Sequence, residues 1–170
     1  MKQYLIYTLL VLAFHVAQAQ NADDLFTIYL VRHAEKDLSD ATNKNPSLSS
    51  CGQQRAESLV NFFQLVSFDA IYSSDYTRTL DTAKPIAQAK NKEVTIYDPR
   101  KLDDFSKMLL SKEEDALVVG HSNTTGVLAG LLSNQKIGPF DESIYNRIYQ
   151  VVIYKQTGRL QVFHTAFLCE

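Results

Sequence analysis

The sequence predicts an α/β fold, a three-layer α/β/α sandwich built on a mostly parallel central sheet and finished by a C-terminal hairpin. Two observations lead there. Short apolar runs alternate with longer stretches in which apolar residues return every three or four positions, the pattern of buried strands separated by amphipathic helices. Near the C-terminus the alternation stops, and two apolar segments flank Gln156-Thr157-Gly158, a hairpin signal. Four strands joined by helices need right-handed crossovers, which place helices on both faces of a parallel sheet.

Each element has its own grounds. Phe26 to Val31 is a short, dense apolar run with β-branched residues, which favours a buried strand over a helix. Asp37 to Ser50 is polar and contains Asn43, Asn45 and Pro46, so it reads as a long loop over that strand's end. Ala56, Leu59, Val60 and Phe63 form the stripe of a helix from about Cys51 to Leu65, capped by Ser49 or Ser50. Phe68 to Tyr72 is the second strand, ended by Ser73-Ser74-Asp75, and Thr77 to Ala89 returns to helical spacing through Leu80, Ala83 and Ala87. Val94 to Tyr97 is the third strand, stopped by Asp98-Pro99, and Leu102 to Leu110 is a short helix with Phe105, Met108 and Leu109 on one side. Ala116 to Val119 is the fourth strand, Gly120-His121-Ser122-Asn123 its loop, and Thr124 to Leu132 the next helix. Ile148 to Tyr154 and Leu160 to Phe167 are the hairpin strands.

In parallel sheets of this kind ligands bind outside the carboxyl ends of the strands. Arg32 and His33 follow the first strand, Arg78 lies just beyond the second, and His121 follows the fourth. Residues up to 89 positions apart are thereby expected at one sheet edge. Two guanidinium and two imidazole groups in one pocket suit phosphate: an Arg fork matches paired phosphate oxygens, and a neutral imidazole offers an attacking nitrogen.

The N-terminus carries one charge, Lys2, then an apolar run from Leu5 to Val16, then the small-x-small sequence Ala17-Gln18-Ala19. This is the pattern of a secretory signal peptide, with residues 1–19 removed and residues 20–170 left as a single domain. The run is shorter than the roughly 20 apolar residues that span a bilayer. The protein is therefore expected to be exported, periplasmic or secreted, with no membrane association after cleavage. Cleavage moves the formal charge from −2 to −3, and no Lys/Arg cluster appears, which argues against nucleic acid as a partner. Cys51 and Cys169 either pair, stabilising the fold by ~4 kcal/mol or more in the chain-entropy model, or stand as isolated small apolar residues; spacing does not decide between the two.

Three stretches carry a resemblance: Leu30-Val31-Arg32-His33-Ala34-Glu35, Ser73-Ser74-Asp75-Tyr76-Thr77-Arg78-Thr79 with Thr82-Ala83, and Val118-Val119-Gly120-His121-Ser122-Asn123. In this order they resemble the histidine phosphatase superfamily, of phosphoglycerate mutase-like fold, over about Phe26 to Phe167. The resemblance implies a phosphatase with no metal or other cofactor and a small phosphorylated substrate. It maps the nucleophile onto His33 and the phosphate clamps onto Arg32, Arg78 and His121. The backbone N–H of Ser122 is expected to join them, with Asn123 a weaker candidate.

The general acid is the open position. Larger relatives carry a Glu after the third strand, where this chain has Asp98, Asp103 and Asp104. Register favours Asp104 or Asp103, which could equally be capping or dipole-facing charges at a helix start. Glu35, two residues from His33, is a further acid candidate. Only 42 residues separate Arg78 from His121, so the long insertions of the mutases are missing and a hydrolase with an open pocket is expected. Specificity is expected from Asp37 to Ser50 and from Ser133 to Arg147, with Tyr145 and Arg147 at the rim.

Other classes fit less well. No His-Glu-x-x-His occurs and no Cys lies near either histidine at ligand spacing, against zinc. Gly120-His121-Ser122-Asn123-Thr124 lacks the final glycine of a serine-hydrolase elbow. Two alternatives stay open beside a phosphomonoesterase or phosphoramidase: a phosphate-binding module without turnover, and a protein phosphohistidine phosphatase. The oligomeric state is unknown from sequence.

Overall fold

The computed structural model describes residues 25–169. The expected signal segment, residues 1–19, lies outside the described residues. Among the described residues ten elements follow in chain order: β1 (Leu25–Arg32), α1 (Ser50–Phe62), β2 (Ala70–Ser74), α2 (Thr77–Ala89), β3 (Val94–Tyr97), α3 (Leu102–Lys112), β4 (Ala116–Gly120), α4 (Thr125–Ser133), β5 (Arg147–Tyr154) and β6 (Thr157–His164).

The six strands form one sheet in the order β3-β2-β4-β1-β5-β6. Strands β1 to β4 pair in parallel, and β5 and β6 add two antiparallel pairings at one side. Side chains alternate between the two faces with the strand period of two. Ile28, Leu30 and Val118 pack with Phe105 and Leu109 of α3 and with Leu128 and Leu132 of α4. Val31, Leu117 and Val119 face the other way, onto Leu59 of α1, Phe63 and Ile86 of α2. The three-layer α/β/α arrangement is therefore the one expected, with α1 and α2 on one face and α3 and α4 on the other.

Two details depart from expectation, and the cap of α1 is one of the two serines expected. The second strand begins at Ala70 and runs on through Ser73 and Ser74; their hydroxyls find internal partners, so polar residues continue the strand without an unsatisfied group. Helix α1 starts at Ser50 with Ser49 as its cap, the hydroxyl accepting from Gly52 N at 3.1 Å. The hairpin turns at Lys155 and Gln156, both left-handed with φ of 46° and 65°, a two-residue turn whose twist matches the strands. Gly158 is inside β6 instead of in the turn, because a Cβ there would meet Leu132 O at 2.2 Å. Its small size serves the packing of α4.

Cys51, in the first turn of α1, is disulfide-bonded to Cys169, with Cα atoms 5.6 Å apart. The bridge holds the C-terminal tail against α1. Arg55, one turn further along, donates to Phe167 O and lies over the Phe167 ring.

Candidate active site

The parallel pairing of β1 and β4 sets Arg32 opposite Gly120, so the residues that leave both strands, His33 and His121, emerge side by side. His33 N donates to Gly120 O at 2.9 Å, which locks the two strand ends together. The imidazole rings lie 5.4 Å apart, centroid to centroid. Arg78 joins them from the first turn of α2, whose position is tied to β1 through Thr82: its hydroxyl donates to Arg78 O and accepts from Ala34 N.

His33 is 3% exposed, and its Nδ1 lies 2.7 Å from Ala34 O. A carbonyl only accepts, so Nδ1 carries the proton and Nε2 holds the free lone pair. Burial pushes the His33 pKa down to about 3; the Ala34 carbonyl opposes this, and the charges of Arg32 and Arg78 reinforce it. The ring is neutral at physiological pH, as a nucleophile must be.

His121 is oriented by a hydroxyl relay. Thr79 Oγ1 donates to Ser74 O and accepts from Ser74 Oγ, which leaves Ser74 Oγ to accept from His121 Nε2 at 2.9 Å. Burial, then Arg78 and Arg32, bring the His121 pKa down to about 4. The turn after it is closed by Thr124, whose Oγ1 accepts from His121 N at 2.9 Å.

Arg32 is 3% exposed. Its Nη1 donates to the backbone carbonyls of Glu142 and Ile144, and its guanidinium stacks 4.1 Å from the centroid of Tyr145. Arg78 stacks on Tyr76 at 4.7 Å. The Nε groups of Arg32 and Arg78 are both buried and have no hydrogen-bond partner in the protein. Two desolvated guanidinium N–H donors at one site fit an anion whose oxygens accept from them.

These groups share a cavity of about 390 Å³. Arg32, His33, Arg78, His121 and Ser122 all line it, as expected from sequence, and Asn123 and Thr124 continue the wall. Lys36, Tyr76, Pro99, Arg100 and Glu142 also line it and were not foreseen. The pocket gathers four cations although the chain is net acidic. Of the two segments expected to set specificity, only 133–147 reaches this cavity, through Glu142. Tyr145 stands beside His33 and Arg32 as a rim residue would, whereas Arg147 turns toward Tyr149 and Phe140.

The expected acids are not in the pocket. Glu35 accepts from Arg55 through both oxygens, at 2.6 Å from Nη2 and 2.9 Å from Nε. It is occupied because Gly52 lets α1 press against its backbone, where a Cβ would meet Glu35 O at 2.1 Å. Asp103 and Asp104 are exposed in the first turn of α3, where their charges face the helix N-terminus. Neither lines the cavity that holds His33. Asp98 is held by Arg100, which brings its pKa down to about 2. Arg55 carried no motif signal that could have revealed its pairing with Glu35. Glu142 could have been weighed only as one carboxylate in a segment already expected at the rim.

Comparison with known proteins agrees with this geometry. Residues 28–106 match the sequence model of the histidine phosphatase superfamily (branch 1). A 75-residue stretch is 39% identical to phosphoserine phosphatase 1 of Hydrogenobacter thermophilus, covering 42% of this chain and 36% of that relative. The chain thus matches about a third of that curated relative's length. Among solved structures, the protein histidine phosphatase SixA complexed with tungstate aligns with TM-score 0.69 at 16% identity, over 82% of this chain and 97% of that one. A phosphoserine phosphatase variant from Entamoeba histolytica in complex with phosphoserine gives 0.63 at 17% identity, over 82% and 97%. The mycobacterial glucosyl-3-phosphoglycerate phosphatase gives 0.67 at 12% identity, over 84% and 100%. These structural likenesses are likenesses of fold.

Proposed function

The chain belongs to the histidine phosphatase superfamily, and from that premise we propose that it is a metal-independent phosphatase that hydrolyses small phosphomonoesters through a phosphohistidine formed on His33. One observation carries this reading: His33 presents a neutral Nε2 lone pair beside the buried, unpartnered Nε–H groups of Arg32 and Arg78. The two guanidinium groups hold the phosphate oxygens and stabilise the charge spread over them as the phosphoryl group transfers. His33 Nε2 bonds to phosphorus as the bond to the leaving oxygen breaks. Water then attacks phosphorus, the N–P bond breaks and inorganic phosphate is released.

Substitution His33→Ala tests the reading. It should abolish phosphate release from 4-nitrophenyl phosphate and remove any acid-labile phosphoprotein formed during turnover; unchanged turnover rejects His33 as nucleophile.

The phosphate-binding module without turnover is the competing reading, supported by the absence of Glu35, Asp103 and Asp104 from the pocket. Multiple turnovers by the purified wild-type protein exclude it. The protein phosphohistidine reading draws on the fold likeness to SixA. A phosphorylated histidine-kinase peptide assayed beside phosphoserine and sugar phosphates separates it from the first.

Export belongs to the same proposal. The Cys51 to Cys169 disulfide supports it, since such bridges persist in oxidising compartments. The intact mass of the cell-derived protein, with or without residues 1–19, tests it.

A further inference from the structure

Cleaving an alkyl phosphomonoester needs a proton for the leaving oxygen, and the three acids expected from sequence do not line the cavity. Glu35 is engaged by Arg55, and Asp103 and Asp104 are on the exposed start of α3. Among the described residues one acidic residue does line the cavity of His33, Glu142.

Its position is set by the phosphate clamp itself. The Glu142 backbone carbonyl accepts from Arg32 Nη1, so residue 142 is anchored where Arg32 is anchored. The side chain extends to Lys36, with Oε2 and Nζ 3.8 Å apart, and its charge acts on both Arg32 and Arg78. With 74% of the side chain exposed, the carboxyl is free to exchange protons with solvent and to move over the pocket. The contact with Lys36 is a loose surface pair, of a kind that holds a side chain only weakly.

Building on the phosphohistidine reading, we propose that Glu142 is the proton-transfer residue of the reaction. A phosphate held by Arg32 and Arg78 sits in the cavity that Glu142 also lines. In the first half-reaction His33 Nε2 bonds to phosphorus, the P–O bond breaks with its electron pair on the leaving oxygen, and that oxygen takes the Glu142 proton. In the second half, a water oxygen bonds to phosphorus, the N–P bond breaks with its electron pair on Nε2, and the Glu142 carboxylate takes the water proton. The carboxyl ends as it began.

The test is Glu142→Gln measured on a leaving-group series by rapid quench. An alkyl phosphate such as phosphoserine leaves as a strongly basic alkoxide and needs the proton; 4-nitrophenyl phosphate leaves as a stable phenolate and does not. The variant should phosphorylate His33 from the alkyl ester about 100-fold more slowly, while the nitrophenol burst keeps its rate within a fewfold. Steady-state turnover of the aryl ester should then fall as phosphoenzyme accumulates. Equal losses on both esters, or no loss on either, overturn the proposal. Thermal unfolding and inhibition by inorganic phosphate, both expected to match wild type, show that Arg32 has stayed in place. If wild type itself makes no phosphoenzyme, the underlying phosphatase reading fails, and it does so independently of the variant.

Discussion

Arg55 Nη2 lies 2.6 Å from Glu35 Oε1, and Arg55 Nε lies 2.9 Å from both carboxylate oxygens, so the acid two residues beyond His33 is held by helix α1. The pair is largely buried, with 7% of the Arg55 side chain and 18% of the Glu35 side chain exposed. Its role is therefore to hold the loop after β1 against α1, away from the cavity that His33 lines.

Glu35→Gln leaves a buried guanidinium without its counter-charge and should lower stability by about 3 kcal/mol, as breaking a buried pair does. Activity per folded molecule should stay within a fewfold, since Glu35 does not line the cavity. Urea unfolding together with kcat at saturating substrate checks both parts. The double variant Asp103→Asn, Asp104→Asn should likewise retain kcat, and a loss of more than tenfold would return the acid role to α3.

Reduction of the Cys51 to Cys169 bridge frees a tail otherwise held to Arg55 through Phe167. A loop of this length should contribute about 2–5 kcal/mol. Thermal melts with and without a phosphine reductant should differ for wild type and coincide for Cys51→Ser, Cys169→Ser. Coincident melts for wild type would show that the tail contributes nothing.

The two pocket histidines make stability depend on pH in a defined direction. Their folded-state values, about 3 for His33 and about 4 for His121, lie below the ordinary 6.5. Between those values and 6.5 the unfolded chain binds protons that the folded chain does not, so stability rises with pH through that window. The melting temperature should fall as pH drops from 6.5 toward 4, and His121→Asn should flatten the fall. Activity should show no loss at pH 6.5 from protonation of His33, because the ring stays neutral well below that pH. An acid limb in kcat/KM near 6.5 that does not follow titration of the substrate's own phosphate would contradict the depressed value.

The Tyr145 ring stacks on Arg32 at 4.1 Å and lies edge-to-face with His33 at 6.1 Å between centroids. Loss of a desolvated cation–π contact is worth about 1–2 kcal/mol. Tyr145→Ala should therefore weaken inhibition by inorganic phosphate about 5- to 30-fold, and Tyr145→Phe should restore most of it. Titration of phosphate against 4-nitrophenyl phosphate turnover measures both.

What could be read without coordinates was local. Alternating apolar runs located the strands near their observed places, and Leu59 and Phe63 marked the buried side of α1. The hairpin was legible but its turn was not, because Gly158 signals a turn by habit and in this fold makes room for Leu132 O. Lys155 and Gln156, which take the left-handed turn, have no composition that announces it.

The sequence by itself determined the order of strands and helices and the arrival of Arg32, His33, Arg78 and His121 at one edge. Both follow from short-range periodicity and from the rule that parallel strands end on the same side. Tertiary structure alone decided which acidic residue lines the cavity of His33, how Cys51 finds Cys169, and which nitrogen of His33 bears the proton. Each of these depends on distances of a few ångströms between residues, or on a carbonyl's direction. Burial and hydrogen bonding fix such distances only after the chain has packed, and no pattern along the chain records them.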